Sequence, residues 1–174
     1  MFFLKLLGKL IKVLGSQTSP NRIAWGFALG AVLGLTPLWS LHNLVVVVLF
    51  LLLNVNISSA LLAFILYSFF AWALDPLFHT IGFSILVQIS FMKPLWTTLY
   101  NAPFAPFTRF NNTVVMGSFI FSLLLFIPNF LVFRWLVIRY RSSWRDTVQR
   151  MRILKILQGN SVVQFYLKVK ELGG

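Results

Sequence analysis

Apolar residues run along this chain in long blocks, interrupted by polar pairs that share one form. Ser19-Pro20, Thr36-Pro37 and Asp75-Pro76 each place a good N-cap residue before a proline. Proline is favoured at the first helical position, where its missing N–H has no partner to lose. Each pair therefore predicts a helix start, and the pattern resolves into segments at 20–35, 37–53, 57–74, 76–92 and 113–138. A spanning helix needs about 20 apolar residues at ~1.5 Å each. By that measure 57–74 and 113–138 are adequate, 37–53 and 76–92 are marginal, and 20–35 is too short alone. Residues 20–53 then form either one kinked span broken at Pro37 or a re-entrant hairpin with its tip at Thr36-Pro37. Irregular backbone at membrane depth survives only where protein or a wet cavity covers it.

The flanks read differently. In "MFFLKLLGKLIKVLG", Lys5, Lys9 and Lys12 fall on one side of a helix, with Leu, Ile and Phe around the rest. The lysines lie within the apolar run and no small-residue cleavage site follows, so 1–18 is expected to be an interfacial amphipathic anchor, not a signal peptide. At the other end, Ser143 and Asp146 offer a capping-box-like start. Val148, Met151, Leu154 and Leu157 then recur every third residue among Arg145, Arg150, Arg152 and Lys155. The segment 139–174 is expected to be a basic tail holding an amphipathic helix on the inner leaflet. Between the spans, 93–112 has three prolines with Trp96, Tyr100, Phe104 and Phe107, which predicts an interfacial aromatic loop, with a substrate lid as the lesser reading.

Composition turns these segments into a class. Of 174 residues 59% are hydrophobic and only 10% charged, against about 25% charged in soluble domains, and the mean hydropathy is +0.86. The expectation is an all-α, polytopic integral membrane protein with broken or re-entrant helices. Fifteen Lys and Arg against three acids give a formal charge of +12. The cations gather in 5–22 and 134–170, with only Lys93 and Arg109 between. Basic blocks beside apolar spans face the cytoplasm, which predicts a multi-pass protein of a bacterial inner membrane with both termini cytoplasmic and an even number of crossings. Four crossings fit if 76–92 spans, and two fit if 20–53 and 76–92 both dip and return. No nucleic-acid-binding motif accompanies the charge.

Candidate chemistry is sparse. Without cysteine there is no disulfide, thiolate ligand or thiol nucleophile. The chain lacks a nucleophile elbow, a zincin motif, a P-loop and paired carboxylates, so no enzyme activity, cofactor or metal is expected. Gly26, Gly30 and Gly34 form a stripe on which another helix can pack closely, either helix 37–53 or 57–74 of the same chain or a second copy. Asp75 is the only acid before residue 146, and His79 lies one turn on; the pair is read as a helix cap with its partner or as a proton relay. Thr36 is a neutral cap, so the helix expected to start at Pro37 would present uncompensated backbone donors within the bilayer. Broken helices in transporters bind anionic groups this way. Arg22, Thr36, Pro37, His42 and Asn43 are thus candidates for binding an anionic headgroup, the alternative being that the break only lets two half-helices pack.

The stretch 25–77, "WGFALGAVLGLTPLWSLHNLVVVVLFLLLNVNISSALLAFILYSFFAWALDPL", resembles the bacterial membrane family called domain of unknown function 2062. The family pattern is a Gly-rich half-helix with an aromatic residue, a Leu-Pro break, a polar position, a Leu/Val-rich run and an Asn-Pro dipeptide. Gly26, Gly30, Gly34, Pro37, His42 and Pro76 match it, and Asp75 stands in place of the usual Asn. The resemblance implies no settled activity. Some relatives are fused to glycosyltransferase domains, which implies service to lipid-linked intermediates. The expected function is handling or translocation of an anionic lipid or lipid-linked carrier. The alternative is a non-catalytic anchor or scaffold subunit that meets a protein partner or a second copy of itself.

Overall fold

The computed structural model describes residues 2–144, and all regular structure among them is helical. Among the described residues the chain divides into two compact units, one of residues 18–134 and the other of residues 2–17 with 135–144. The predicted tail helix beyond Trp144 lies outside the described residues.

In the larger unit, α2 (Pro20–Leu35) starts where the sequence places it. Ser19 accepts a hydrogen bond from the Arg22 N–H at 3.4 Å, and Pro20 occupies the first turn. The other two Pro pairs behave differently. Thr36 ends α2: its N–H donates back to the Val32 carbonyl at 3.1 Å. Its backbone is extended (φ −98°, ψ 149°), the conformation a following proline imposes. The chain turns through 37–40 before α3 (Leu41–Leu52) begins. Asp75 and Pro76 sit inside α4 (Ile57–Phe83), which continues into a π-helical turn at Ser84–Gln88. Pro76 removes one N–H and frees the Trp72 carbonyl, a loss a helix tolerates where packing holds it on both sides. Beyond Pro76, Phe78 is fully buried and Gly82 lies against Thr113. The expected helix start at 75–76 is therefore corrected to a continuous helix, and α4 begins instead at Asn56, whose side chain accepts from the Ser59 N–H at 2.9 Å.

The expected loop at 93–112 holds a helix, α5 (Lys93–Tyr100), with Pro94 in its first turn, and a 3-10 turn at Ala105–Thr108. The long α6 (Thr113–Arg139) carries Pro128 internally.

Backbone contacts fix how these helices run. The Asn56 N–H donates to the Arg22 carbonyl at 3.1 Å, so α3 returns the chain to the level at which α2 began. Leu29 and Val32 of α2 cluster with Val46 of α3 and Val55 beyond it, which makes α2 and α3 a hairpin. The stripe of Gly26, Gly30 and Gly34 then meets Asn56, Ala60 and Phe64 in order, so α2 and α4 run parallel and in near backbone contact. Ser59 lies in this seam, fully buried, its hydroxyl 2.8 Å from the Ile23 carbonyl. Returning antiparallel, α6 places Gly117 against the Phe78 carbonyl and Asn129 within hydrogen-bond reach of the Tyr67 hydroxyl. Its aromatic side meets α2, with Phe133 stacked on Phe27 at 3.6 Å between centroids and Phe130 against Trp25 at 4.6 Å.

In the smaller unit, α1 (Phe2–Leu14) exposes Lys9 and Lys12 and buries Val13 and Leu14. Its last carbonyls need partners, and the Arg141 guanidinium donates to the carbonyls of Leu14, at 3.0 Å, and of Ser16.

Candidate functional site

The tip of the α2–α3 hairpin is polar and closed on itself. Asn43, only 4% exposed, donates from Nδ2 to the Pro37 carbonyl at 2.9 Å. Its Oδ1 lies 2.8 Å from the Thr36 hydroxyl. The Thr36 hydroxyl has one proton and stands 2.8 Å from the Val32 carbonyl as well, so it divides its donation between these two acceptors. Ser40 donates its one hydroxyl proton to the Pro37 carbonyl at 2.8 Å. The His42 Nε2, 3.0 Å from the same oxygen, must then be the donor in that contact. The sequence therefore ends one helix and starts the next through side chains that satisfy the turn from within, and Thr36 and Pro37 spend their polar groups on the turn itself.

Beside this tip lies a groove of about 580 Å³, within the range of small-molecule sites. Leu38, Trp39, Ser40, Leu41, Asn43, Leu44 and Val47 form one wall, and Pro106, Phe107 and Arg109 the other. Arg109 is the only charged residue of that lining. It has a left-handed backbone (φ 56°, ψ 29°), uncommon for a side chain of its size. Turn bonds hold it there: its N–H donates to the Pro106 carbonyl at 3.0 Å, and its carbonyl accepts from the Asn112 N–H at 2.9 Å.

The candidates read from sequence are thus only partly brought together. Thr36, Pro37, Asn43 and His42 meet at the tip, and of these Asn43 lines the groove, while the His42 ring packs 4.8 Å from Phe119. Arg22 is exposed near the start of α2, roughly 20 Å along the helix from Thr36, and does not reach the site. Gly26, Gly30 and Gly34 are all covered by α4. Asp75 is exposed on α4. His79 turns away from it, its Nδ1 lying 2.7 Å from the Thr113 hydroxyl, and no hydrogen bond joins the two among the described residues. The expected cap is absent because Asp75 has no helix N-terminus to serve.

Sequence reasoning missed Arg109. The available signal was its isolation: a lone cation in the aromatic run "FAPFTRF", far from both basic blocks. No cluster of histidines and carboxylates suited to a metal occurs among the described residues.

An uncharacterized protein of Treponema pallidum (strain Nichols) is 27% identical over 139 residues, covering 80% of this chain and 85% of the relative. No solved structure matches the chain. The bacterial family described as an uncharacterized protein conserved in bacteria (DUF2062) matches residues 5–145, a wider stretch than the motifs at 25–77. That match takes in the hairpin, both long helices and the groove, and the chain belongs to the DUF2062 family.

Proposed function

We propose that this is a multi-pass protein of the bacterial inner membrane that binds an anionic lipid or lipid-linked carrier in the groove at the hairpin tip and handles it there. Two helices are long and apolar enough to cross a membrane. The first, Ile57–Gln88, has 32 residues and the second, Thr113–Ser143, has 31, with only 22% and 28% of their most apolar windows buried. At ~1.5 Å per residue each exceeds the ~30 Å of a hydrocarbon core. Outward-facing Phe69, Trp72, Leu124 and Leu131 would be costly in water and are at ease in lipid. The twelve residues of α3 reach about 18 Å and cannot cross. Because α3 ends at the level where α2 began, the hairpin is read as re-entrant, and α4 and α6 as the two crossings. Arg134 donates to the Asn21 side chain at 2.8 Å, so Arg22 and Arg134 share one end of this unit. By the positive-inside rule that end, with both termini, is cytoplasmic.

The observation that carries the functional reading is the lone charge on a mostly apolar groove. Arginine pairs with phosphate through two parallel donors, and the apolar wall suits a hydrocarbon chain. This replaces the helix-end site expected at Thr36-Pro37, whose groups are occupied by the turn. The proton relay loses its geometry, since Asp75 and His79 do not meet. Scaffolding through the glycine stripe loses its surface, since α4 covers it. The proposed role of the groove is binding and movement.

Purified protein should retain anionic phospholipid detectable by mass spectrometry, with retention lowered about tenfold in Arg109→Gln, a loss consistent with one charge-assisted pair. Reconstituted protein should speed the passage of labelled phosphatidylglycerol between leaflets. Retention indifferent to lipid charge, together with unchanged passage, would overturn the proposal.

A further inference from the structure

Resting on the groove reading, we infer that the bound lipid lies with its head at Arg109 and its chain along α3, which assigns it to the leaflet opposite the basic ends of the chain. Depth comes first. The hairpin opens beside Asn56, where α4 begins. Gly34 is level with Phe64 and Ser68, and the His42 ring is level with Phe119, which lies near Phe78 through Gly117. The tip therefore stands past the middle of α4, and Arg109 belongs to the segment that joins the far ends of α4 and α6.

The apolar track comes second. Leu44 and Val47 belong to the groove wall, and Leu51 follows at the next helical step. All three are exposed, Leu51 by 80%, so the wall continues about 10 Å down α3 toward the Asn56 end. Its lower part, Leu51 to Leu53, is apolar. A head placed there would lie against leucine with only the uncharged Asn54 amide next along the chain, whereas a head at Arg109 meets the one cation of the lining. Charge and track agree on a single orientation: phosphate toward the non-cytoplasmic face and hydrocarbon pointing inward. A lipid of the bilayer is the occupant, because a free phosphate has no use for the track.

The test uses the full chain in vesicles of zwitterionic lipid with a minority of phosphatidylglycerol. Photoreactive groups are placed either on the glycerol head or at the end of one acyl chain, and adducts are mapped by mass spectrometry. Head-probe adducts on 106–109 with chain-probe adducts on 47–51 are expected, and Arg109→Gln should lower the head-probe adducts severalfold. Chain-probe adducts on 106–109 with head-probe adducts near Leu51 would overturn the orientation while leaving the groove as a lipid site. Groove adducts no more frequent than those on the outer faces of α4 and α6 would overturn the groove reading itself, and this inference with it.

Discussion

Gly30→Ala should destabilise the protein by about 3 kcal/mol, toward the upper end of overpacking changes. A Cβ at Gly30 would stand 2.8 Å from both the carbonyl carbon and Cα of Ala60, with the carbonyl oxygen nearer still. Ordinary contact begins near ~3.5 Å, and every atom met is backbone, so no rotamer relieves the clash. The helices must part by about 1 Å, a gap that forfeits a quarter to a half of each van der Waals well along the seam. The parting spreads, because Gly26 and Gly34 lie on the same rail. The Ser59 hydroxyl would also lose the Ile23 carbonyl, an interhelical bond of a kind that contributes about 0.6 kcal/mol in membranes. Unfolding in mixed micelles of rising SDS fraction, followed by tryptophan fluorescence, measures the change; Trp25 against Phe126 and Phe130 makes α2 its own reporter. Gly15→Ala is the comparison, since its nearest new contact, the Ile11 carbonyl oxygen at 3.3 Å, asks for a shift of only a few tenths of an ångström, and its effect should be well below that of Gly30→Ala. If Gly30→Ala unfolds within about 0.5 kcal/mol of wild type, the parallel seam of α2 on α4 is wrong.

Other perturbations probe the tip and the two long helices. Asn43→Ala removes one of two partners from the Thr36 hydroxyl, which keeps the Val32 carbonyl, and one of two donors from the Pro37 carbonyl, which keeps Ser40. It should cost about 1–1.5 kcal/mol with faster proteolysis at 37–40, and stability equal to wild type would count against the self-closed turn. Tyr67→Phe removes the partner of Asn129 Oδ1, beside an Nδ2 that is already buried and unpaired. A loss of about 1 kcal/mol is expected, recovered when Asn129→Leu is added; an additive loss in the double variant would refute the pairing. Pro76→Ala restores an N–H to the Trp72 carbonyl and should leave folding unchanged or improved. A helix beginning at Pro76 would instead lose its start, so marked destabilisation in the same assay would overturn the continuous α4.

Much of this architecture is legible locally. Ser19-Pro20 starts α2 because the cap and the proline act within one turn, with no help from elsewhere. The long apolar helices at 57–74 and 113–138 show in their hydropathy, although the first runs on through Asp75-Pro76. The lysines of α1 show its amphipathic character, because a helical face is a matter of spacing. Thr36-Pro37 and Asp75-Pro76 have the same local grammar as Ser19-Pro20, and there the reading fails. At the first pair, Asn43 and Ser40 capture the Pro37 carbonyl and delay the next helix to Leu41. At the second, Phe78 and Gly82 packed on α6 hold the helix through its proline.

The sequence by itself determined that the chain is helical, apolar and basic at its ends, because propensity, hydropathy and charge are sums over neighbouring residues. Only the tertiary structure decided which surface the glycines meet, which proline interrupts a helix, and that Arg109 faces the hairpin tip across a groove. Those outcomes depend on residues tens of positions apart coming within a few ångströms, and no spacing along the chain encodes that distance. A lone arginine in an aromatic loop acquires a role only when a second wall is folded against it.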